Sequence, residues 1–325
     1  MRYRFSFALV VGILLATTTG FADNARADGL PVLGVDAGAT GVAIPGGPDR
    51  YVTIPAGSNT ILARVSQDGG RILASRLLQG TFTIPAVAYD GSAGGISGDG
   101  RTLVLISSRT TFPRAQTTFA LIDTPQLAPR GRITLQGDFS FDAISPRGAS
   151  LYLIQYTSAL DPTQYLVRNY DLTARRLVTA PVVDPHEPGE KMRGQPLTRA
   201  TSRDGGWAYT LYDGAGKTPF IHALDTRRGS ARCIDLDALT GKDLSKLRLK
   251  LDDSNDALLV VRANKPVLVV DRHDFAVTAP SAGGSGFPWL VVLVTVGVLG
   301  AGGAALSLST ARRSRRNRSS PVAVP

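Results

Sequence analysis

Cysteine is almost absent from this chain, since Cys233 is the only one among 325 residues. A lone cysteine excludes an intramolecular disulfide, and it excludes a zinc site built from paired cysteines. The fold must therefore be stabilised by its own apolar core. Cys233 lies in the alternating run 232–236 (Arg-Cys-Ile-Asp-Leu), a strand pattern that favours a small buried side chain over a reactive thiol.

Recognisable catalytic motifs are also absent. The sequence contains no Gly-x-Ser-x-Gly nucleophile turn, no zinc motif and no cofactor-binding motif. We therefore expect no cofactor and no bound metal, and the sequence favours a protein that is not an enzyme without excluding catalysis. Long amphipathic helical patterns are scarce between residues 28 and 280. The scarcity of helical patterns favours a fold built from β-strands.

A long apolar run is present near the C-terminus. About 20 apolar residues, 289–308, precede a cluster of five arginines. A helix of that length crosses a bilayer of roughly 30 Å at about 1.5 Å per residue. The arginines mark the end that stays in the cytoplasm, so the chain is expected in the cell membrane. They are Arg312, Arg313, Arg315, Arg316 and Arg318.

The N-terminus has the features of a cleaved signal peptide. Arg2 and Arg4 precede a short apolar core at 5–15, and residues 25–27 (Ala-Arg-Ala) supply the small side chains that a signal peptidase recognises. A core this short favours cleavage over a retained membrane helix.

The predicted topology is single-pass, with the ectodomain outside and the C-terminus in the cytoplasm. The predicted segments are a signal peptide (1–27), an ectodomain (28–280), a Gly/Ser linker (281–288), a transmembrane helix (289–310) and a basic tail (311–325).

The net charge of +10 does not support nucleic-acid binding. Five arginines belong to the predicted tail, and the signal peptide holds three basic residues and one acidic residue. The ectodomain keeps 28 basic and 25 acidic residues, a net charge of about +3. Nucleic-acid binding needs basic residues clustered on a folded face. We therefore expect a membrane partner, through contacts of the tail with anionic headgroups, and no nucleic acid.

Small residues recur along the predicted membrane helix. Gly297, Ala301 and Ala305 follow each other at intervals of four residues, which allows two helices to approach closely. This spacing predicts a homodimer, although a segment rich in alanine and glycine also produces it by chance. Both interpretations stay open at the level of sequence.

The ectodomain sequence repeats with a period of about fifty residues. A turn of Ser-x-x-Gly type precedes an apolar strand at Ser97, Ser145 and Ser202, and degenerate copies occur at 45–48 and 252–256. Each copy is followed by a second hairpin pattern. Four strands in each of five repeats are typical of β-propeller blades, which bury their faces against neighbouring blades. We predict an all-β propeller of about five four-stranded blades, followed by one C-terminal transmembrane α-helix.

Three short segments carry a family resemblance: residues 51–53 (Tyr-Val-Thr), 59–65 (Asn-Thr-Ile-Leu-Ala-Arg-Val) and 70–74 (Gly-Arg-Ile-Leu-Ala). In them the chain resembles bacterial secreted propellers of the YVTN and WD40-like repeat group. The resemblance extends over residues 40–279, and it implies the fold but no particular activity. The Trp-Asp and Gly-His pairs of WD40 blades are absent. The number of blades, five or six, stays open, because residues 28–44 could supply a closing strand or part of a sixth blade.

Loop lengths differ between the two faces of the predicted propeller. Turns between first and second strands are short, whereas connections on the opposite face are long, at 80–90, 107–118, 157–164, 180–199 and 213–219. Long loops on one face of a rigid scaffold are where binding residues collect. We therefore predict a binding or sensing domain at the cell envelope. An unknown protein or an envelope glycan is the expected ligand of this long-loop face.

Two of these connections hold the candidate ligand-binding residues. Residues 184–193 contain both glutamates of the chain and side chains that are hard or borderline ligands, with a proline-stiffened blade connection as the alternative. Residues 84–95 are rich in glycine, which lets a backbone approach a ligand or relieves crowding at the propeller axis. The candidates are Tyr89, Asp90, Asp184, His186, Glu187, Glu190 and Arg193.

Two other functions stay open. The first is a glycoside-active enzyme, which needs one ionised carboxylate and one protonated carboxylic acid around the channel mouth. Its candidate residues are Asp90, Asp142 and Glu187, and a closed apolar channel would argue against it. The second is a structural platform for another membrane protein.

Overall fold

The structure is a computed structural model, and it describes residues 41–68, 70–189 and 192–280. Those residues form an all-β fold of twenty strands in five four-stranded antiparallel sheets. Every sheet consists of four strands that are consecutive in the chain. This is the strand organisation of a five-bladed β-propeller, and we number the sheets as blades 1 to 5.

The first strand of each blade lies at the inner edge of its sheet and the fourth at the outer edge. Blade 1 contains β1 (Val42–Ala43), β2 (Arg50–Ala56), β3 (Asn59–Val65) and β4 (Ile72–Gln79). Blade 2 contains β5 (Phe82–Thr83), β6 (Thr102–Ser107), β7 (Gln116–Asp123) and β8 (Ala128–Gln136). Blade 3 contains β9 (Phe139–Ile144), β10 (Ser150–Tyr156), β11 (Tyr165–Asp171) and β12 (Arg176–Val182). Blade 4 contains β13 (Pro196–Thr201), β14 (Trp207–Tyr212), β15 (Phe220–Asp225) and β16 (Ser230–Asp235). Blade 5 contains β17 (Leu247–Leu251), β18 (Ala257–Arg262), β19 (Lys265–Asp271) and β20 (Val277–Thr278).

The fifty-residue repeat is confirmed at the level of strands. The apolar runs that follow the Ser-x-x-Gly turns are β6, β10 and β14, the second strands of blades 2, 3 and 4. The two degenerate copies correspond to β2 and β18, and each second hairpin forms the third and fourth strands of its blade. One repeat of the sequence is therefore one blade.

A hydrogen-bonded turn explains why the repeat is visible in the sequence. The Ser97 hydroxyl donates to the carboxylate of Asp99 (2.6 Å) and accepts from the backbone N–H five residues after Ser97 (3.0 Å). Ser202 does the same with Asp204 (2.7 Å) and with the N–H five residues further on (2.9 Å). These side chains satisfy the polar groups of the turn and fix where the second strand begins.

Apolar side chains are buried between consecutive blades. Four clusters lie at the contacts of blades 1 and 2, 2 and 3, 3 and 4, and 4 and 5. Each contains a large side chain with almost no exposure, respectively Leu105, Phe119, Tyr152 and Leu211. Burial of this kind stabilises the ring without a disulfide. In the described part of the chain, no such cluster joins blade 5 to blade 1.

The inner strand of blade 2 is interrupted. Its first part, β5, pairs with the end of β6, and the pairing resumes where Ile96 bridges Leu103. Residues 84–94 leave the sheet in between, and we call them the axial excursion. The sequence predicts a long connection between blades at 80–90, but β5 lies within that stretch. The irregular segment therefore belongs to the interior of blade 2.

The axial excursion crosses the centre of the propeller. The N–H of Tyr89 donates to the carbonyl of Pro196 (2.9 Å) and the N–H of Asp90 to that of Leu197 (3.1 Å), both in blade 4. Blades 2 and 4 are not neighbours, so a segment that joins their inner strands has to pass in front of blade 3. There Val87 packs in one cluster with Phe141 of β9. The excursion therefore crosses the central channel.

Short turns from blades 2, 3 and 4 meet at the opposite end of the axis. The N–H of Asp99 donates to the carbonyl of Pro146 (2.9 Å). A Cβ atom built on Gly98 would lie 2.1 Å from the carbonyl oxygen of Asp204. Backbone thus packs directly against backbone at this point, and position 98 has no space for a side chain.

No helix in the described ranges is both long enough and apolar enough to span a bilayer. Several predictions made from the sequence lie outside those ranges and stay predictions. They are the signal peptide (1–27), the linker (281–288), the membrane helix (289–310), the tail (311–325) and the dimer contacts at Gly297, Ala301 and Ala305.

Candidate functional site

The long loops belong to the three middle blades. The loops between second and third strands cover 108–115, 157–164 and 213–219 in blades 2, 3 and 4, but only two residues each in blades 1 and 5. The connection from blade 3 to blade 4 covers 183–195. In an antiparallel blade these connections share one face, opposite the Ser-x-Asp turns. The connection from blade 4 to blade 5, at 236–246, lies on the same face, so the elaborated face extends from blade 2 to the start of blade 5.

A cleft of about 510 Å³ opens on this face between blades 3 and 4. The loop 157–164 and the start of β11 form one wall, and residues from the 183–195 connection and the blade 4 loop form the other. Its lining residues are Thr157, Asp161, Thr163, Gln164, Tyr165, Leu166, Met192, Arg193 and Ala215. We call it the blade 3–4 cleft.

Tyrosines surround a smaller cavity of about 30 Å³ that shares Thr163 and Tyr165 with the cleft. The rings of Tyr165 and Tyr212 lie 5.8 Å apart, and those of Tyr156 and Tyr165 lie 6.4 Å apart. Burial raises the pKa of Tyr89, Tyr156, Tyr165 and Tyr212 above that of a free phenol. These hydroxyls stay protonated at ordinary pH, so they can donate hydrogen bonds but cannot act as bases.

Two arginines fix the blade 2 loop beside this cavity. Arg109 donates to the Asp138 carboxylate (2.6 Å), and the Nε of Arg114 donates to the same oxygen (3.1 Å). The Arg109 guanidinium also lies over the Tyr156 ring, 5.2 Å from its centroid. Burial lowers the pKa of Arg114 to about 10, so it stays charged at neutral pH. The loop is thereby held rigidly against blade 3.

Asp184 anchors the connection between blades 3 and 4. Its carboxylate is buried and accepts the backbone N–H groups of His186 (2.8 Å) and Cys233 (2.9 Å). Burial opposes ionisation, but these hydrogen bonds outweigh it and hold the pKa of Asp184 below its usual value. The carboxylate is thus engaged in positioning the loop, and its predicted contact with a ligand stays a prediction.

The other candidates of this connection are spread along it. The His186 side chain is 71% exposed, with its Nδ1 2.9 Å from the Asp184 carboxylate. Glu187 is exposed, whereas Arg193 lines the blade 3–4 cleft. Glu190 lies outside the described residues. Within the ranges that the structure describes, no three His, Cys, Asp or Glu side chains come close enough together to hold a metal ion.

The three carboxylates of the glycosidase hypothesis have separate surroundings. Asp90 accepts the Ser92 hydroxyl (2.6 Å) within the axial excursion, and its other oxygen lies 3.6 Å from Arg248 of blade 5. Asp142 is buried in an ion pair with an arginine of blade 4, while Glu187 is exposed on the outer connection. Asp90 and Asp142 thus have different partners, Arg248 of blade 5 and Arg199 of blade 4, and Glu187 lies on the exposed connection.

A buried ion pair connects blades 3 and 4 near the tyrosines. Arg199 of β13 donates to the carboxylate of Asp142 in β9 and to its carbonyl oxygen (2.9 Å). His222 of β15 is 2% exposed, and neither ring nitrogen has a hydrogen-bond partner in the described part of the chain. Burial lowers the pKa of His222 to about 4, with the Asp142 carboxylate opposing this shift and Arg199 adding to it. The imidazole is therefore neutral at neutral pH.

Replacing His222 with phenylalanine is expected to reduce the loss of stability at acidic pH. The pKa of His222 is lower in the folded state than the value near 6.5 of an unfolded chain, so protonation favours unfolding. The contribution of neutral His222 to the free energy of unfolding is fully present above pH 6.5. Up to about 3 kcal/mol of it is lost as the pH falls towards 4. Urea unfolding between pH 4 and pH 7 measures this slope.

His273→Phe is the matched control for that experiment, because the side chain of His273 is 80% exposed. It should retain the loss of stability at acidic pH that His222 causes. Equal slopes for the wild-type chain and His222→Phe would show that His222 does not titrate as its burial requires.

Most residues of the blade 3–4 cleft were not identified from the sequence. Among the candidates that the structure describes, only Arg193 lies at the cleft and only Tyr89 at the smaller cavity. The length of the loop 157–164 was a usable signal, because it marked the correct wall. Which of its side chains face the cleft depends on the packing of blade 3 against blade 4.

Comparison with known proteins assigns no family to the chain. No family model matches it, and no curated protein matches it. Among solved structures it is similar to dihydro-heme d1 dehydrogenase NirN in complex with DHE, with 13% identity and a TM-score of 0.43 over 76% of this chain and 47% of that one. It is also similar to the β-propeller domain of Myceliophteria thermophila Cps50 (Swd1), with 10% identity and a TM-score of 0.40 over 73% and 65%. TolB from Acinetobacter baumannii matches with 13% identity and a TM-score of 0.31 over 73% and 58%. The chain spans less than two thirds of the length of each of these three.

Proposed function

We propose that this chain is a membrane-anchored binding domain at the cell envelope, and that its blade 3–4 cleft binds an envelope glycan. The observation that carries the proposal is the cleft itself, about 510 Å³ on the elaborated face. Ligand sites typically enclose roughly 300–1,000 Å³ and combine apolar walls with a few placed polar groups. The cleft has that size, and its lining contains more polar groups than is typical of such sites.

The chemistry of the lining favours a ligand rich in hydroxyl groups. A sugar hydroxyl both donates and accepts, so it can pair with hydroxyl, amide, carboxylate and guanidinium groups alike. All four kinds line the cleft, and apolar side chains beside them suit the C–H faces of a sugar ring. These residues are Thr157, Thr163, Gln164, Asp161 and Arg193 on the polar side, and Leu166 and Met192 on the apolar side.

Asp161 and Arg193, the two charged side chains of the cleft, differ in the hydrogen bonds that they make within the protein. The Thr163 hydroxyl donates to Asp161 (2.6 Å) and the Gln164 amide also donates to it (2.8 Å), which holds the pKa of Asp161 below its usual value. Arg193 has no hydrogen bond or ion pair with any described residue. Arg193 is therefore the side chain best placed to gain a contact when a ligand binds.

The cell-envelope location is supported by the two ends of the sequence. The apolar run 289–308 with its arginines has the length and flanking charge of a membrane anchor. The first 27 residues have the composition of a secretory signal. Together they support the proposal that the cleft lies outside the cell, where envelope glycans are found.

Arg193→Ala is expected to weaken glycan binding by at least about tenfold. A charge-assisted hydrogen bond contributes about 1.5–3 kcal/mol, and this substitution removes it without breaking a hydrogen bond or ion pair to a described residue. The full chain in detergent is screened on an array of bacterial envelope polysaccharide fragments. The best fragment is then titrated by calorimetry into the wild-type chain and the variant.

Arg203→Ala is the matched control, since Arg203 is exposed in the short turn of blade 4 on the opposite face. Failure of every fragment to bind, or equal affinity in Arg193→Ala, would contradict the ligand assignment.

A chain ending at residue 280 should leave the membrane fraction and keep its glycan affinity. If that truncated chain stays in the membrane fraction, the predicted anchor is wrong, whatever the glycan result.

A further inference from the structure

The outer strand of blade 1 differs from the outer strands of the other four blades. β4 is eight residues long, contains no proline and lies at the end of its sheet. All of its residues except Leu78 are exposed. Apart from its pairing with β3, the only hydrogen bond to its backbone comes from Arg132, which donates to the Gln79 carbonyl (2.5 Å), within the described ranges. An open edge of this length is a template for another strand.

Each of the other outer edges is interrupted by a proline, covered or very short. β8 contains Pro129 and β12 contains Pro181, whereas β4 contains no proline and, like β8, has one bulge, at Leu73. The edge of β16 is covered, because the N–H groups of Ala231 and Cys233 donate to residues 183 and 184 (3.3 and 2.9 Å). β20 has only two residues. Proteins block their sheet edges by such means to prevent pairing with other chains, so the exception at β4 calls for an explanation.

Apolar side chains are exposed along the same strand. Ile72, Leu73 and Leu77 are 59%, 40% and 61% exposed, and they are half of the large exposed hydrophobic residues in the described part of the chain. A groove of about 420 Å³ runs between β4 and β8. Its floor is apolar and buried, formed by Leu78, Phe82, Ala120 and Ile122. An extended segment lying here could pair with the edge and bury side chains at the same time.

The rim of this groove is positively charged. Arg76, Arg130 and Arg132 line it, and no acidic residue does. None of the three pairs with a carboxylate in the described ranges, and the side chain of Arg76 has no hydrogen bond there. Like charges facing each other would oppose the docking of a second copy of the same strand. The charge instead complements a segment with acidic side chains.

We propose that the β4 edge and the groove beside it bind an extended acidic segment of a partner protein as a fifth strand of blade 1. Backbone hydrogen bonds to β4 supply the pairing, which is the known mode of β-strand addition. Alternate apolar side chains of the segment cover the groove floor, and its carboxylates pair with the arginines of the rim. This surface is separate from the blade 3–4 cleft, so it does not depend on the glycan proposal.

The test uses the full chain in detergent and a fluorescein-labelled eight-residue peptide that alternates aspartate with valine. Fluorescence anisotropy should show saturable binding that weakens with added salt. A lysine–valine peptide should not bind. A version with proline at two central positions should bind at least about tenfold more weakly, because proline removes a donor of the ladder.

Arg76→Glu and Leu77→Ser should each weaken binding of the aspartate–valine peptide at least about tenfold. Arg203→Glu and Leu160→Ser are the matched controls, since both residues are exposed away from β4. Neither control should change the affinity. Absence of binding, equal binding of the lysine–valine peptide, or wild-type affinity in Arg76→Glu would overturn the proposal.

Two further outcomes would assign the surface to another occupant and overturn it as well. Sedimentation velocity could show a dimer that Leu77→Ser disrupts, which would make a second copy the occupant. Binding to phosphatidylglycerol vesicles that Arg76→Glu abolishes, without peptide binding, would make a lipid surface the occupant.

Discussion

Replacing Arg199 with methionine is expected to lower the free energy of unfolding by about 3–5 kcal/mol. Arg199 and Asp142 have side chains that are only 6% and 2% exposed, and they join the inner strands of blades 3 and 4. Methionine fills a similar volume but leaves the Asp142 carboxylate charged, buried and without its counter-ion. That uncompensated charge is the main cause of the expected loss, which urea unfolding at pH 7 measures.

Two comparisons separate this cause from a loss of packing. The double substitution Asp142→Leu with Arg199→Met removes both charges, so it should recover most of the lost stability. Arg227→Met is the matched control, because Arg227 and Asp204 form an ion pair with side chains 49% and 57% exposed. Arg227→Met should lower the free energy of unfolding by less than about 1 kcal/mol. An equal loss in Arg199→Met and Arg227→Met would show that the buried pair has no special role.

Replacing Gly98 with alanine is expected to destabilise the propeller by at least about 3 kcal/mol, or to prevent folding. The new Cβ would lie 2.1 Å from the carbonyl oxygen of Asp204 and 2.6 Å from its carbon. Both atoms belong to a backbone that is itself fixed in a hydrogen-bonded turn. The steric clash can therefore be removed only if the turns of blades 2 and 4 move apart. The shift of the urea midpoint measures the effect.

Gly189→Ala is the control for that substitution. No heavy atom lies within 4 Å of the Cβ it would add, and neither Gly98 nor Gly189 has the left-handed backbone that would strain an alanine. The expected change is within about 0.5 kcal/mol. If Gly98→Ala unfolds at the same urea concentration as Gly189→Ala, the inference that the turns of blades 2 and 4 pack too closely for a side chain at position 98 is wrong.

The sequence was sufficient to predict the blades because their signal is local. Ser97 and Ser202 interact with residues two and five positions further along the chain, so the turn and the strand after it appear as one repeated pattern. Strand alternation adds a second local signal. For these reasons the all-β class and the order of strands within each blade could be predicted.

The contacts that form the candidate site were not predictable in this way. Asp142 and Arg199 are separated by 57 positions, and Tyr89 reaches Pro196 across the axis of the propeller. A single sequence contains no pattern that links such positions, because each partner looks ordinary in its own segment. The cleft and the open edge of β4 depend on how neighbouring blades pack, and they became visible only in the structure.

The axial excursion also has a consequence for how the molecule opens. Arrays in which each repeat touches only its neighbours can unfold from an end, one repeat at a time. The excursion joins blade 2 directly to blade 4 and packs against blade 3, so none of these three can detach without breaking the contacts of the others. We therefore expect the middle blades to open together, which keeps the loops on both walls of the cleft in register.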